Sequence, residues 1–130
     1  AGPTAALANL EILEEENLLA NTTAMGDYML DALEGLKAKH AMVGDVRGKG
    51  LFTGVELVAD RDSKAPMDES VVQAVVADCF KESAVVIGAT NRSFEGFNNT
   101  LCFSPALIAT KDDIDEIINA VDGALTRVVN

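Results

Sequence analysis

The sequence has 130 residues, of which 48% are apolar, and this is enough chain for one domain with a single hydrophobic core. Its 21 acidic and 10 basic side chains give a net charge of −11 at pH 7, which argues against a nucleic-acid or anionic-membrane partner, because such surfaces need a basic patch. No apolar stretch approaches membrane-spanning length and no leader-like segment opens the chain, so we expect a cytoplasmic protein.

Two helices are predicted in the N-terminal part of the chain. The first is rich in strong helix formers, and Leu7, Leu10 and Leu13 are spaced in threes along one stripe. Asn17 is then an N-cap candidate for a longer helix that ends near His40. Apolar residues at helical spacing describe one face of this second helix: Met25, Tyr28, Met29, Ala32, Leu33 and Leu36.

A glycine-rich string, RGKG at positions 47–50, precedes a predicted strand. From Leu51 to Val58 apolar side chains occur on both faces at a period of two, which favours a central strand. Glycine weakens a strand interior unless a bend, or the close approach of another backbone or a ligand, requires the missing side chain. The string therefore predicts a partner or ligand beside the strand.

A polar turn at 60–66 leads to a third predicted helix. Valine favours strands by propensity, but the paired apolar positions recur at a spacing of four and indicate a helix. These positions are Val71, Val72, Val75, Val76, Cys79 and Phe80. Two short β-rich runs, 84–90 and 100–107, then flank the loop 91–99, whose Asn, Ser and Gly content favours a wide hairpin connection.

The C-terminal helix carries the clearest signals. Thr110 with Asp113 three residues on predicts a capping box. The apolar stripe that follows consists of Ile114, Ile117, Ile118, Val121, Leu125 and Val128. The order α, α, β, α, β, β, α has too few strands for a parallel doubly wound sheet. We therefore predict an α+β two-layer sandwich, in which helices cover a small, mainly antiparallel sheet.

Few residues suggest catalysis. His40 is the single histidine, so no His/Ser/Asp set can be nominated, and no phosphate-binding glycine motif occurs. Cys79 and Cys102 lack metal-ligand spacing and are expected to be buried free thiols. The carboxylates fall on predicted helix exteriors and are interpreted as solvated faces. We expect no catalytic, cofactor-binding or metal-ligating residue in this chain, which alone does not look like a complete enzyme.

Arg92 is the candidate for ligand recognition. It is one of four arginines and lies in the predicted loop among Asn91, Ser93, Phe94, Phe97 and Asn98. A guanidinium beside aromatic rings on a loop suits recognition of a planar carboxylate, because its fork offers two parallel donors and stacks on rings. The alternative is a surface arginine with two phenylalanines tucked under the loop.

Three longer strings match a more specific pattern. They are ALANLEILEEENL at 6–18, VGDVRGKGLFTGVEL at 43–57 and LCFSPALIATKDDIDEIINAVDGAL at 101–125. Together they resemble the C-terminal, small domain of a class III, pyridoxal-phosphate-dependent aminotransferase of the omega-aminotransferase or amino acid–pyruvate type. The resemblance spans nearly the whole chain, and the pattern RGxGLxxGxE at 47–56 is quite specific to that domain.

The resemblance implies a dimeric enzyme of fold type I, in which a large domain binds pyridoxal phosphate through a Schiff-base lysine. The C-terminal domain closes over the substrate, and the glycine-rich string begins its sheet. On this basis residues 1–130 form one domain and residues 1–40 are a helical segment between the two domains. The implied partners are the large domain of the same enzyme and a second copy in a homo-oligomer.

The same resemblance assigns roles to individual residues. All six lysines lie after the position of the family's Schiff-base lysine, so no cofactor is expected to bind this chain alone: Lys37, Lys39, Lys49, Lys64, Lys81 and Lys111. Arg92 falls within a residue or two of a mobile arginine that pairs with the substrate carboxylate, which makes it the predicted substrate-binding residue. At the start, the family usually has Gly-His-Pro where this chain has Ala1-Gly2-Pro3.

Two functions are therefore considered. In the first, the chain is the C-terminal domain of an aminotransferase that moves an amino group between an amine or amino acid and a keto acid such as pyruvate, and it is inactive alone. In the second, it is a free-standing α+β binding module derived from such a domain, which uses the loop around Arg92 to hold an acid or a partner protein. The length of the intact source protein separates the two.

Overall fold

The computed structural model describes residues 2–94 and 96–129, which form four helices and a small sheet. The elements are α1 (Gly2–Glu15), α2 (Leu18–Lys39), β1 (Val43–Lys49), β2 (Phe52–Asp60), β3 (Ala65–Pro66), α3 (Glu69–Ser83), β4 (Gly88–Ala89), β5 (Thr100–Phe103) and α4 (Lys111–Val129). The strand order is β1-β2-β5-β4, β3 pairs with the end of β2, and each of these pairings is antiparallel. The predicted α+β two-layer architecture is confirmed.

The sheet is covered by helices on one face. Thr53, Val55 and Leu57 of β2 are buried, and Val55 lies beside the buried Leu101 of β5. On the opposite face of β2, Phe52 is 72% exposed. The prediction of a central strand is confirmed, because β2 lies between β1 and β5. Its outer face, however, is open in this chain.

The predicted apolar stripes of three helices form the core. Each of α2, α3 and α4 contributes three of the predicted positions as buried side chains, because residues three and four apart share one helix face. These are Met29, Leu33, Leu36, Val72, Val75, Cys79, Ile114, Val121 and Leu125. Phe80, which was predicted to belong to the α3 stripe, is 62% exposed instead. No described helix is long and apolar enough to cross a membrane.

Helix α1 forms as predicted, but its apolar stripe is not covered. None of its described residues is buried, and Leu7 and Leu10 are 62% and 58% exposed. Asn17 does lie at the N-cap position of α2, but the predicted side-chain cap is wrong. Its backbone has a left-handed conformation with φ 54° and its side chain makes no capping hydrogen bond. Asn17 instead forms the turn between the two helices.

Strand β1 was not predicted from the residues, which indicated a strand only after the glycine-rich string, although the family resemblance placed the string at the start of the sheet. The string forms the end of β1 and the start of the two-residue loop, Gly50 and Leu51, that leads into β2. Gly50 has φ +55°, a left-handed conformation that glycine adopts at little cost. The backbone is closely approached here, but the neighbour is the backbone of α2 at Gly26 in the same chain, not the predicted partner or ligand.

The predicted capping box opens α4. The Thr110 backbone N–H and hydroxyl donate to Asp113 Oδ2 at 2.8 and 2.7 Å, and the Asp113 N–H donates back to Thr110 Oγ1 at 3.3 Å. These hydrogen bonds to Thr110 lower the pKa of the Asp113 carboxyl. The pair satisfies backbone groups that the first turn of a helix would otherwise leave without a partner.

A candidate anion-binding loop

The candidate site lies on the connection between β4 and β5. Its base is closed by Thr90 and Thr100: the Thr90 N–H donates to the Thr100 carbonyl at 2.9 Å, and the Thr100 N–H donates to Thr90 Oγ1 at 3.2 Å. The residues described in between, 91–94 and 96–99, form a loop outside the sheet. The wide hairpin connection predicted from composition is confirmed.

Arg92 is exposed on this loop. Phe94 and Phe97 are 87% and 59% exposed, so the alternative interpretation, in which both phenylalanines are tucked under the loop, does not describe the structure. A guanidinium and two aromatic rings are thus exposed on the same loop. This combination provides both charge-assisted donors and flat apolar surface to a ligand.

Arg47, the arginine of the glycine-rich string, is already paired. Arg47 Nη1 lies 2.7 Å from Asp45 Oδ2 and 2.9 Å from Glu56 Oε2 on the outer face of the sheet. Hydrogen bonds to Asp45 and then to Glu56 raise the pKa of the Arg47 guanidinium. Arg47 therefore holds β1 to β2 through ion pairs with two carboxylates.

Two further arginines are also paired within the chain. Arg61 donates to backbone carbonyls at the junction of α2 and β1, and Arg127 forms an ion pair with Asp78 that joins α4 to α3. For Arg92, by contrast, the structure of residues 2–94 and 96–129 gives no hydrogen bond or ion pair. Within that part of the chain, Arg92 is the arginine without a hydrogen-bonded or ion-paired partner.

Two buried asparagines anchor the C-terminal end of the loop, directly before β5. Asn98 and Asn99 are 8% and 4% exposed. The Asn99 backbone carbonyl accepts from the Leu57 N–H at 2.8 Å, and the Asn99 side-chain amide donates to the Leu57 carbonyl at 2.6 Å, which ties the loop to β2. Asn98 bonds to Ser93 and to α3. From the sequence, Asn98 was recognisable only as a neighbour of Arg92 and Asn99 not at all, because burial of loop asparagines leaves no periodic signal.

The thiols and the histidine lie away from this loop. Burial raises the pKa of the Cys79 thiol to about 11, so it is an inert core group, as predicted. Cys102 is only half-buried, on the outer face of the sheet, so the prediction that it is buried is wrong. His40 is buried with Nε2 2.6 Å from Asp122 Oδ1, which joins the end of α2 to α4. Among the described residues no cluster of His, Cys, Asp and Glu could hold a metal ion.

The six lysines are all accessible to solvent. A Schiff-base lysine is usually desolvated or held beside another cation, which activates its amine. Here none of the six lysines is buried: Lys37 is half-buried and 4.0 Å from Glu34, and the other five are exposed. None of the six lysines therefore has the desolvated setting that is usual for a Schiff-base lysine.

Comparisons with known proteins agree on one family. The family model for class III aminotransferases matches residues 3–125. The chain is 64% identical over 128 residues, 98% of its length, to a hypotaurine/taurine–pyruvate aminotransferase of Paracoccus denitrificans, and 58% identical over the same share to a taurine–pyruvate aminotransferase of Bilophila wadsworthia. It spans 28% of the length of each of these relatives.

Solved structures give the same result. An aminotransferase from Bacillus anthracis superposes with a TM-score of 0.90 at 39% identity, over 95% of this chain and 27% of that one. An amine transaminase from an uncultivated Pseudomonas species superposes with a TM-score of 0.84 at 30% identity, over 95% of this chain and 27% of the other. The fold, the glycine-rich string and the family match together show that the chain belongs to the class III aminotransferases.

Proposed function

We propose that the chain is the C-terminal domain of a pyridoxal-phosphate-dependent aminotransferase that moves an amino group from a small acidic amine to a keto acid such as pyruvate. The observation that carries this proposal is the 64% identity to a hypotaurine/taurine–pyruvate aminotransferase, which extends over 98% of the chain. Residues 1–130 are one domain, with residues 1–40 as the helical segment that leads into it.

The proposed donor carries a sulfonate, sulfinate or carboxylate group, and Arg92 binds that group. The guanidinium fork can donate two parallel hydrogen bonds to a pair of oxygens on one acidic centre, which a sulfonate offers as well as a carboxylate does. Arg92 is exposed on a loop and is the arginine without a partner in the part of the chain described. Its role is to bind and orient the acidic end of the substrate.

The chemistry at the amino group belongs to the rest of the enzyme. Pyridoxal phosphate, when bound, stabilises negative charge on the carbon that carries the amino group, and in this proposal it is held by the large domain. The present chain supplies the acid-binding loop and part of the wall that excludes water. The large domain and a second copy of the enzyme are its proposed partners, and the 130-residue chain alone is inactive.

The test uses the full-length protein from which this chain comes. Alanine formation from pyruvate is measured with taurine, hypotaurine, β-alanine and an uncharged aryl amine as donors. We expect alanine from the acidic donors, with the sulfur-containing acids ahead of the aryl amine. If no donor yields alanine while the protein binds acidic ligands, the free-standing binding module is the better description. If only the aryl amine reacts, the assigned donor class is wrong.

A further inference from the structure

Asn98 connects the loop that carries Arg92 to helix α3. Its Oδ1 accepts from the Ser93 backbone N–H at 2.9 Å, and its Nδ2 donates to Glu69 Oε2 at 3.2 Å. Asn98 is 8% exposed, so both ends of this amide are used where water has little access. One side chain therefore bridges the residue after Arg92 and the first residue of a helix.

The bond to Ser93 acts on Arg92 directly. The Ser93 N–H belongs to the peptide unit that begins at the Arg92 Cα, and that unit is planar. Fixing this N–H against Asn98 therefore fixes the plane from which the Arg92 side chain extends. No other backbone hydrogen bond from Ser93 is given by the described residues, so Asn98 is the restraint on this side of the loop.

The hydrogen bond from Asn98 to Glu69 connects the loop to a rigid helix. Glu69 is the first residue of α3, after Asp68, whose side chain caps the helix by accepting from the Ser70 N–H at 2.8 Å. The helix in turn is held in the core by Val72 and Val75. The Glu69 carboxylate and the Asn98 amide therefore fix the orientation of the Arg92 backbone relative to α3.

We propose that Asn98, held by Glu69, is a positioning residue that sets the direction in which Arg92 presents its guanidinium to the acidic end of the substrate. This inference rests on the proposed role of Arg92 and adds the device that determines its reach. Asn99 holds the loop base to β2 independently through Leu57. Loss of the Asn98 bridge should thus misdirect Arg92 without opening the sheet.

Two substitutions together exchange the carboxylate and the amide of the bridge without changing the net charge, whereas each substitution alone changes it by one unit. In Asn98→Asp, a carboxylate oxygen can accept from Ser93 only while the other oxygen faces the Glu69 carboxylate, so repulsion between the two carboxylates pushes the new side chain away and weakens its bond to Ser93. In Glu69→Gln, the new amide oxygen still accepts from the Asn98 amide, so this variant should resemble the wild type. In the double variant Asn98→Asp/Glu69→Gln, the glutamine amide donates to the new carboxylate, which restores the contact with its polarity reversed.

The experiment measures the first half-reaction of the full-length enzyme, with the amino donor alone. Pyruvate is absent, so binding of its carboxylate does not contribute to the measured rates. Donors are taurine and an uncharged aryl amine. We expect Asn98→Asp to lower kcat/KM for taurine by about ten- to a hundredfold, mainly through KM, and to change the aryl amine by no more than about twofold. The double variant should recover most of the loss. Asn91→Asp adds the same charge at an exposed position of the same loop and should show no selective loss.

A second measurement does not depend on activity. Hydrogen exchange of the peptide containing Ser93 should become faster in Asn98→Asp and return to the wild-type rate in the double variant, with thermal unfolding used to verify folding. Equal losses for both donors, or no recovery in the double variant, would overturn the positioning role. If the wild-type protein forms no product, or if Arg92→Ala is unselective, the proposed function fails instead. Hydrogen exchange still tests the bridge in that case: an unchanged exchange rate at Ser93 in Asn98→Asp would refute it.

Discussion

Gly26 of α2 lies directly against Gly50, the first residue of the loop between β1 and β2. A Cβ atom on Gly26 would be 2.5 Å from the Cα and from the carbonyl carbon of Gly50, and closer still to its carbonyl oxygen. Side chains cannot relieve such a contact, because the neighbouring atoms are backbone. The helix and the hairpin therefore pack backbone to backbone, and the glycines of the string serve the fold at this point.

Gly26→Ala should destabilise the domain. The methyl group must push the hairpin away from α2, and overpacking of this kind typically costs about 1–3 kcal/mol. Gly35→Ala is the matched control, because Gly35 is on the same helix with nothing within 4 Å of an added Cβ. There the gain in helix propensity should stabilise the domain by about 0.5–1 kcal/mol. Urea unfolding measures both, and two changes of the same sign would contradict the backbone contact.

Close contacts at two other glycines explain why β1 could not be predicted. Strand signals are β-branched and aromatic residues at a period of two, and β1 has glycine at positions 44 and 48. Those glycines are required by neighbours that come from elsewhere in the chain: Cβ atoms on Gly44 and Gly48 would meet Val58 and Thr53 at 2.7 Å. Elements with a regular apolar period, such as α4, were predictable because the signal is local.

The exposed stripe of α1 should make the isolated chain self-associate. Leu7 and Leu10 are 62% and 58% exposed on a helix with no buried residue, and uncovered apolar surface drives association. In sedimentation experiments we expect the 130-residue chain to form dimers or larger species at high concentration. Leu7→Gln/Leu10→Gln should shift it toward monomer, whereas Phe80→Gln, at an equally exposed residue of α3, should not. A monomeric wild-type chain would contradict this prediction.

Asp122 should contribute stability that is lost in acid. Its carboxylate lies 2.6 Å from Lys39 Nζ and 2.6 Å from His40 Nε2, and the hydrogen bond to Lys39, followed by the one to His40, lowers its pKa. A lowered folded-state pKa means that the stabilisation is complete above the unfolded value of about 4 and disappears as the pH falls through the folded value.

Asp122→Asn should therefore lower the thermal midpoint at pH 7, and the difference from wild type should shrink as the pH falls below about 4. Glu116→Gln removes a carboxylate from the same helix at an exposed position, and it should change the midpoint little at either pH. Thermal unfolding at a series of pH values makes the comparison. A difference between Asp122→Asn and wild type that stays constant into acid would show that packing, not charge, is responsible.

The candidate site was only half predictable. Arg92 could be nominated because arginine beside aromatic residues on a polar loop is a local pattern. The bridge from Asn98 to Glu69 joins residues 29 positions apart, and no spacing rule connects them. Likewise, only the structure shows that Arg47, Arg61 and Arg127 are paired within the chain, which is what distinguishes Arg92.

In the full-length enzyme, Arg92 should discriminate acidic donors from uncharged amines. A bidentate, charge-assisted contact is lost in Arg92→Ala, so we expect kcat/KM for taurine to fall by about ten- to a hundredfold, with the aryl amine nearly unaffected. Arg92→Lys keeps the charge but not the fork and should give an intermediate loss. Lys64→Ala removes an exposed cation elsewhere and should change neither donor. Half-reaction kinetics with each donor make the test, and equal losses for both donors in Arg92→Ala would mean that Arg92 supports the loop rather than the substrate.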